Sequence, residues 1–181
     1  EAARLLGVER IILDFPDARF DESETYRVRL MEVLRRTRPE VLVLPHPEDH
    51  HPDHRRLYRL GREAAYYAGL KNFPCDGQPW RPKAVAWVGG INPPTPPDLV
   101  VDVSEVWEQR MAAFDAFGSQ FGKGEGQPWT RIAHPTFRAG IEGRALHWGS
   151  LIMAAHGEGL WCEKPVAPAL LRLVQKLNPP A

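Results

Sequence analysis

Cysteine, net charge and long apolar runs are all scarce in this sequence, and each absence excludes a class of protein. Only Cys75 and Cys162 are cysteines among 181 residues, and they form no CxxC pair, which argues against a disulfide framework and fits a reducing, cytoplasmic compartment. The 23 Lys and Arg residues balance 23 Asp and Glu residues, so no charge excess attracts nucleic acid or an anionic membrane. No apolar run approaches the roughly 20 residues that cross a bilayer.

The longest basic cluster runs from Arg35 to Arg38, at the end of a predicted helix. Cations at a helix C-terminus complement the helix dipole. We therefore interpret this cluster as an ordinary helix end rather than as a phosphate-binding site.

Buried apolar runs alternate along the chain with helical patterns. Strands are predicted over residues 8–13, 41–44, 84–88 and 99–103, and helices over 23–37, 54–68, 104–117 and 136–155, with a weaker helix over 166–177. The proline-rich residues 89–98, the glycine-rich residues 118–135 and the tail from residue 157 are expected to be loops. This alternation predicts a single α/β domain over residues 1–181, with a mostly parallel sheet flanked by helices.

Four of the seven histidines lie in residues 46–54, the histidine segment. It follows a buried strand and precedes a helix, where open α/β sheets place their ligand sites. His51 and His54 could each bind a metal, and Asp53 is close enough to orient one of the rings. A catalytic zinc site needs about three protein ligands, of which this segment can supply one or two. The alternative is a polar surface loop, and His46 and His50 are expected to be bystanders.

Several blocks of sequence resemble one family in the same order. The run from Arg38 to Pro45 and the motif Asp49-x-His51-Pro52-Asp53-His54 are similar to the second signature block of the LmbE-like (PIG-L) zinc-dependent N-deacetylases. Further similar blocks are Phe15-Pro16-Asp17, Pro97–Ser104, Ser119-Gln120-Phe121, Ile141–Ala145 and Gly157-Glu158-Gly159. Phe15-Pro16-Asp17 is similar to the family's loop before the second block, and the blocks from Pro97 onward look most like the branch that makes bacillithiol, whose substrate is N-acetylglucosaminyl-L-malate.

The resemblance implies a Rossmann-like fold, one Zn²⁺ ion and hydrolysis of an N-acetyl group from an N-acetylglucosamine derivative. Carried over by motif, His54 is a zinc ligand, His51 stabilises the oxyanion, and Asp53 holds or polarises His51. Asp49 supports the loop beside the substrate site.

Arg144 and Glu158 fall in blocks that approach the sugar pocket in this family, so both are candidate substrate contacts. The alternative for Arg144 is an ion pair with Glu142 or Glu158 on or near its helix. The resemblance also implies a small amino-sugar substrate and a homo-oligomer.

The family's opening His-Pro-Asp-Asp motif, which supplies two zinc ligands and the general base, does not occur here. We therefore expect an N-terminally truncated domain that lacks its first strands and is inactive as it stands. A non-catalytic remnant of the fold is one alternative, and a phosphoesterase with a second metal is another. Ala18, Met153 and His156 also stand where the family usually has Gly, Gly and Tyr.

Overall fold

A computed structural model describes residues 1–89, 93, 95–121 and 130–177. The helices are α1 (Ala2–Leu6), α2 (Glu24–Thr37), α3 (Pro52–Tyr67), α4 (Trp107–Asp115), α5 (Gly118–Phe121), α6 (Pro135–Ser150) and α7 (Pro168–Leu177), and a 3₁₀ turn (Ser104–Val106) precedes α4. The strands are β1 (Val41–Pro45), β2 (Ala84–Val88), β3 (Leu99–Asp102) and β4 (Gly157–Cys162). None of the described helices is long and apolar enough to span a membrane.

The strands form one sheet in the order β1-β2-β4-β3. β1 pairs with β2 in parallel, with Val41 opposite Ala84, and β2 pairs with β4 in antiparallel, with Trp87 opposite Trp161. The predicted α/β architecture is confirmed, and the sheet is mixed. The predicted loops over 89–98 and 118–135 lie partly outside the described residues, at 90–92, 94 and 122–129.

The chain divides into two compact units, and the boundary passes through β3 and β4. Unit 1 consists of Glu1–Ile12 and Val100–Glu158, and unit 2 of Leu13–Leu99 and Gly159–Ala181. Each unit is built around a small apolar cluster of its own. The expected single domain over residues 1–181 stays a prediction.

In unit 2, helices α2 and α3 pack together beside β1 and β2. Met31 and Leu34 of α2 meet Ala64, Ala65 and Ala68 of α3 in a buried cluster. Gly61 lets α3 approach β1 closely, because a Cβ there would lie 2.5 Å from Leu44 Cδ2. The start of α3 is thereby held near the end of β1, where the histidine segment lies.

In unit 1, helices α4 and α6 share an apolar cluster. Trp107 and Met111 of α4 pack against Ala145 of α6. Helix α1 also packs on α4, where Gln109 Nε2 donates to the carbonyl of Leu5 at 2.7 Å.

The apolar run at residues 8–13 does not form the predicted strand. No described strand includes it, and the N–H of Val8 bonds back to the carbonyl of Ala3. Val8 and Ile12 are exposed by 58% and 66%. A β-favouring composition gives a strand only where a neighbouring strand supplies hydrogen-bond partners, and the described residues provide none here.

The tail predicted as loop contains β4 instead. Glycines at 157 and 159 lower the strand propensity of this segment, which is why its pattern favours a loop. Gly157 is needed for close packing, since a Cβ there would lie 2.7 Å from both Gly149 N and Val100 Cγ1. Conversely, β1 is less buried than predicted, because Val43 is exposed.

Arg35, assigned above to an ordinary helix end, is only 4% exposed. Its guanidinium donates to the carbonyls of Ala68, Leu70 and Gly77 at 3.1, 2.9 and 3.2 Å, and also to the carbonyl of Cys75. These carbonyls belong to the connection between α3 and β2. Arg35 therefore satisfies the backbone of a segment that has no regular structure of its own.

We expect Arg35→Met to lower the free energy of unfolding by about 3–5 kcal/mol, because it leaves several carbonyls of the connection without donors. Arg36→Met is the matched control, since Arg36 is the exposed neighbour on the same helix. Urea denaturation of both variants measures the difference. Equal losses in the two variants would contradict the role assigned to Arg35.

Met153 follows α6 with φ +59°, a left-handed conformation, and its side chain is 99% exposed. Side chains disfavour this conformation, and the methionine gains no packing in return. We expect Met153→Gly to raise the free energy of unfolding by up to about 1 kcal/mol. Met153→Ala keeps the Cβ and should leave stability unchanged, and thermal unfolding of the two variants compares them.

Candidate functional site

The histidine segment joins β1 to α3 within unit 2. Its turn is closed by the N–H of Asp49, which donates to the carbonyl of His46 at 3.1 Å. The segment lies after the carboxyl end of β1, which is parallel to β2. This is the position predicted from the sequence for a ligand site.

Asp49 is the most buried charged group of this segment, with a side chain 2% exposed. Its Oδ1 accepts from the N–H of His51 at 2.8 Å and lies 3.0 Å from His50 Nδ1. Its Oδ2 lies 3.0 Å from His54 Nδ1. Burial alone would raise the pKa of Asp49, but the His51 N–H and the His54 imidazole outweigh it and hold this pKa below its usual value.

His54 presents one ring nitrogen to Asp49 and is otherwise half exposed. Because a carboxylate accepts hydrogen bonds, the contact requires a proton on His54 Nδ1. In a neutral ring the lone pair then lies on Nε2. A carboxylate–imidazole pair of this kind is the usual arrangement behind a metal-binding histidine.

His51 caps the N-terminus of α3. Its Nδ1 accepts from the N–H of Asp53 at 3.2 Å, and Pro52 occupies the first helical position. An accepting Nδ1 carries no proton, so a neutral His51 holds its proton on Nε2. The exposed ring can therefore donate a hydrogen bond from Nε2.

Asp53 contacts different groups from those predicted. Its Oδ2 accepts from the N–H of Ala18 at 2.8 Å, and its Oδ1 accepts from Arg56 at 2.6 Å. These partners, with the Ala18 N–H as the largest cause, keep the pKa of Asp53 below its usual value. The sequence pointed to Asp53 as the carboxylate that orients an imidazole, whereas the structure gives that contact to Asp49. Asp53 instead ties the turn at Ala18, where φ is +59°, to the start of α3.

His46 and His50, the expected bystanders, have separate surroundings. His46 is buried edge-on against Trp161, with ring centroids 5.4 Å apart, and its Nδ1 accepts from the N–H of Glu48. Burial lowers the pKa of His46. His50 is half exposed and meets Asp49 on its Oδ1 side, away from the oxygen that faces His54.

Arg144 and Glu158 belong to unit 1. The guanidinium of Arg144 lies 5.3 Å from the centroid of the Trp148 ring, and burial lowers its pKa. Glu158 forms an ion pair with Arg110 at 3.5 Å, a partner that the sequence did not suggest. Their assignment as substrate contacts stays a prediction.

Within the described ranges, no group of three or more His, Cys, Asp and Glu residues is arranged to hold a metal ion. The histidine segment thus brings together one suitable imidazole, His54, and one buried carboxylate that orients it.

Comparison with known proteins agrees with the α/β architecture. The sequence model of the PIG-L family, described as GlcNAc-PI de-N-acetylase, matches residues 1–65. The crystal structure of the conserved protein TT1542 from Thermus thermophilus superposes with a TM-score of 0.79 at 32% identity, over 91% of this chain and 70% of that one.

Two deacetylases are also similar. Diacetylchitobiose deacetylase of Thermococcus kodakarensis is 31% identical over 173 residues, covering 88% of this chain and 58% of that protein. N,N'-diacetylchitobiose deacetylase from Pyrococcus horikoshii, solved with its inhibitor MPG, superposes with a TM-score of 0.72 at 26% identity, over 94% of this chain and 62% of that one.

The fold and the histidine segment thus define an α/β protein with a mixed sheet flanked by helices and a histidine-rich connection after β1. The chain belongs to the PIG-L (LmbE-like) family. It spans 58% of the length of the Thermococcus relative.

The helix cap gives a direct test of the His51 geometry. We expect His51→Ala to lower the free energy of unfolding by about 1 kcal/mol, because it leaves the N–H of Asp53 without its acceptor. His51→Asn should retain the stability, since asparagine is a strong N-cap. Chemical denaturation of the two variants measures the difference, and equal stabilities would mean that the ring does not cap α3.

Proposed function

We propose that this chain carries part of the active site of a zinc-dependent deacetylase that removes the N-acetyl group from N-acetylglucosamine glycosides. The observation that carries the proposal is the pairing of buried Asp49 with His54, next to the capping His51, at the end of β1. In the reaction, water adds to the carbonyl carbon of the acetyl group, and the amide C–N bond breaks. The products are acetate and a free amine on the sugar.

The donor chemistry of His54 suits zinc. With Nδ1 held by Asp49, Nε2 of the neutral ring offers a lone pair of the kind that zinc prefers. When bound, zinc acidifies a water molecule and polarises the amide carbonyl. Further metal ligands and a general base are required, and we propose that they come from outside the described residues.

We assign His51 to stabilise the oxyanion that develops on the amide oxygen. In a neutral ring whose Nδ1 accepts the capping bond, the proton lies on Nε2, which is then the hydrogen-bond donor. The resemblance had Asp53 polarise His51. In this geometry Asp53 acts on His51 through its backbone N–H, and its carboxylate fixes the neighbouring turn.

The substrate class follows from the relatives. Two of the three similar proteins named above are deacetylases of diacetylchitobiose, which is built of N-acetylglucosamine units. The sequence blocks similar to the bacillithiol branch support N-acetylglucosaminyl-L-malate as an alternative glycoside. We keep Arg144 and Glu158 as proposed sugar contacts, and the cytoplasmic location and homo-oligomer as predictions.

A non-catalytic remnant of the fold is the second candidate. It is favoured by the incomplete set of metal ligands among the residues that the structure describes. The two candidates differ in whether the protein releases amine from an acetylated sugar.

The test is amine release by the protein as its gene encodes it, with Zn²⁺ supplied, from N,N'-diacetylchitobiose and from N-acetylglucosaminyl-L-malate. We expect turnover of at least one substrate. His51→Asn, which retains the helix cap, should lower kcat by about 100- to 1000-fold, and His54→Asn should lower both zinc content and activity.

His134→Asn is the matched control. His134 also precedes a proline and caps a helix through Nδ1, which accepts from the N–H of Thr136, but it has no role in the proposed site. Its replacement should leave turnover unchanged. No amine release from either substrate by the unmodified protein would favour the non-catalytic remnant.

A further inference from the structure

We propose that Asp49 is a positioning residue, which acts through His54 by fixing the ring proton on Nδ1 and leaving Nε2 to bind a ligand. The resemblance placed Asp49 beside the substrate. The catalytic meaning of this inference rests on the proposed function, but the geometry of the pair does not.

The burial of Asp49 argues against direct contact with a substrate. Its side chain is 2% exposed, and both oxygens already have partners. Oδ1 accepts from the N–H of His51 and contacts His50 Nδ1, while Oδ2 contacts His54 Nδ1. A substrate group would have to displace one of these partners from the interior.

The two oxygens have separable tasks. The bond from the His51 N–H to Oδ1 fixes the backbone just before α3, which is a structural role. The contact of Oδ2 with His54 selects a tautomer, because a carboxylate can only accept. Without this acceptor, His54 would be free to place its proton on Nε2, where it blocks the lone pair.

Asp49→Asn separates the two tasks with almost no change of shape. The amide oxygen can still accept from the His51 N–H, which keeps the turn. The amide NH₂ then faces His54 and donates to Nδ1, so the ring proton moves to Nε2. The variant should fold normally and present the opposite tautomer of His54.

The measurement is the ¹⁵N–¹H correlation spectrum of the imidazoles in the metal-free protein at about pH 8.5, where an ordinary imidazole is neutral. The signals of His54 are identified by their loss in His54→Gln. We expect the Nδ1–H tautomer in the unmodified protein and the Nε2–H tautomer in Asp49→Asn. Zn²⁺ affinity of the variant, measured by calorimetry, should fall by about 10- to 100-fold.

His50→Ala is the control for a general disturbance of Asp49. It removes the exposed partner of Oδ1 and leaves Oδ2 in place, so the tautomer of His54 and the Zn²⁺ affinity should not change. An Nε2–H tautomer of His54 in the unmodified protein would overturn the inference even if Asp49→Asn failed to fold. An unchanged tautomer in folded Asp49→Asn would overturn it equally.

These outcomes are independent of the proposed reaction. If the unmodified protein releases no amine but His54 switches tautomer as described, the proposed function fails and the role of Asp49 stands. If amine is released and the tautomer does not respond to Asp49→Asn, only the role of Asp49 fails.

Discussion

The buried carboxylate of Asp49 is the constraint on which the histidine segment depends. A carboxylate removed from water is strongly destabilised unless hydrogen-bond donors replace the lost solvent. Here one backbone N–H and two imidazole nitrogens converge on it, and they come from three residues within five positions of the chain. The path of the segment from β1 to α3 is therefore set by the need to surround a single charge.

The second constraint is the way α3 begins. His51 supplies the cap and Pro52 the first helical residue, which has no N–H to leave unsatisfied. The same arrangement recurs at His134 and Pro135, where α6 begins. Histidine is an uncommon cap, and the helix starts expected from the sequence were accordingly late, at residues 54 and 136. A His-Pro pair before a helical pattern was the signal that could have located them.

The sequence predicted well where one segment alone decides the outcome. The apolar runs of β1 and β2 and the helical pattern of α2 appear almost as expected. Prediction from the sequence failed where contacts with other segments of the chain decide the structure. Residues 8–13 have the composition of a strand without a described neighbour, while β4 contains glycines that its neighbours require. The sequence placed Arg35 at an ordinary helix end, whereas in the structure its guanidinium is surrounded by carbonyls from residues 68–77.

The same distinction explains the histidine segment. Its location after β1 was predicted from the sequence, but which carboxylate contacts which imidazole ring was not. Asp49 and Asp53 are equally near His51 in sequence. At the second helical position, Asp53 directs its carboxylate to the N–H of Ala18 and to Arg56, whereas Asp49, before the cap, reaches the ring of His54.

The two histidines consequently face opposite requirements at one helix end. His51 accepts at Nδ1 and keeps a donor at Nε2, while His54 donates at Nδ1 and keeps a lone pair at Nε2. Two residues three positions apart thus differ in what Nε2 offers, because their Nδ1 atoms have different partners.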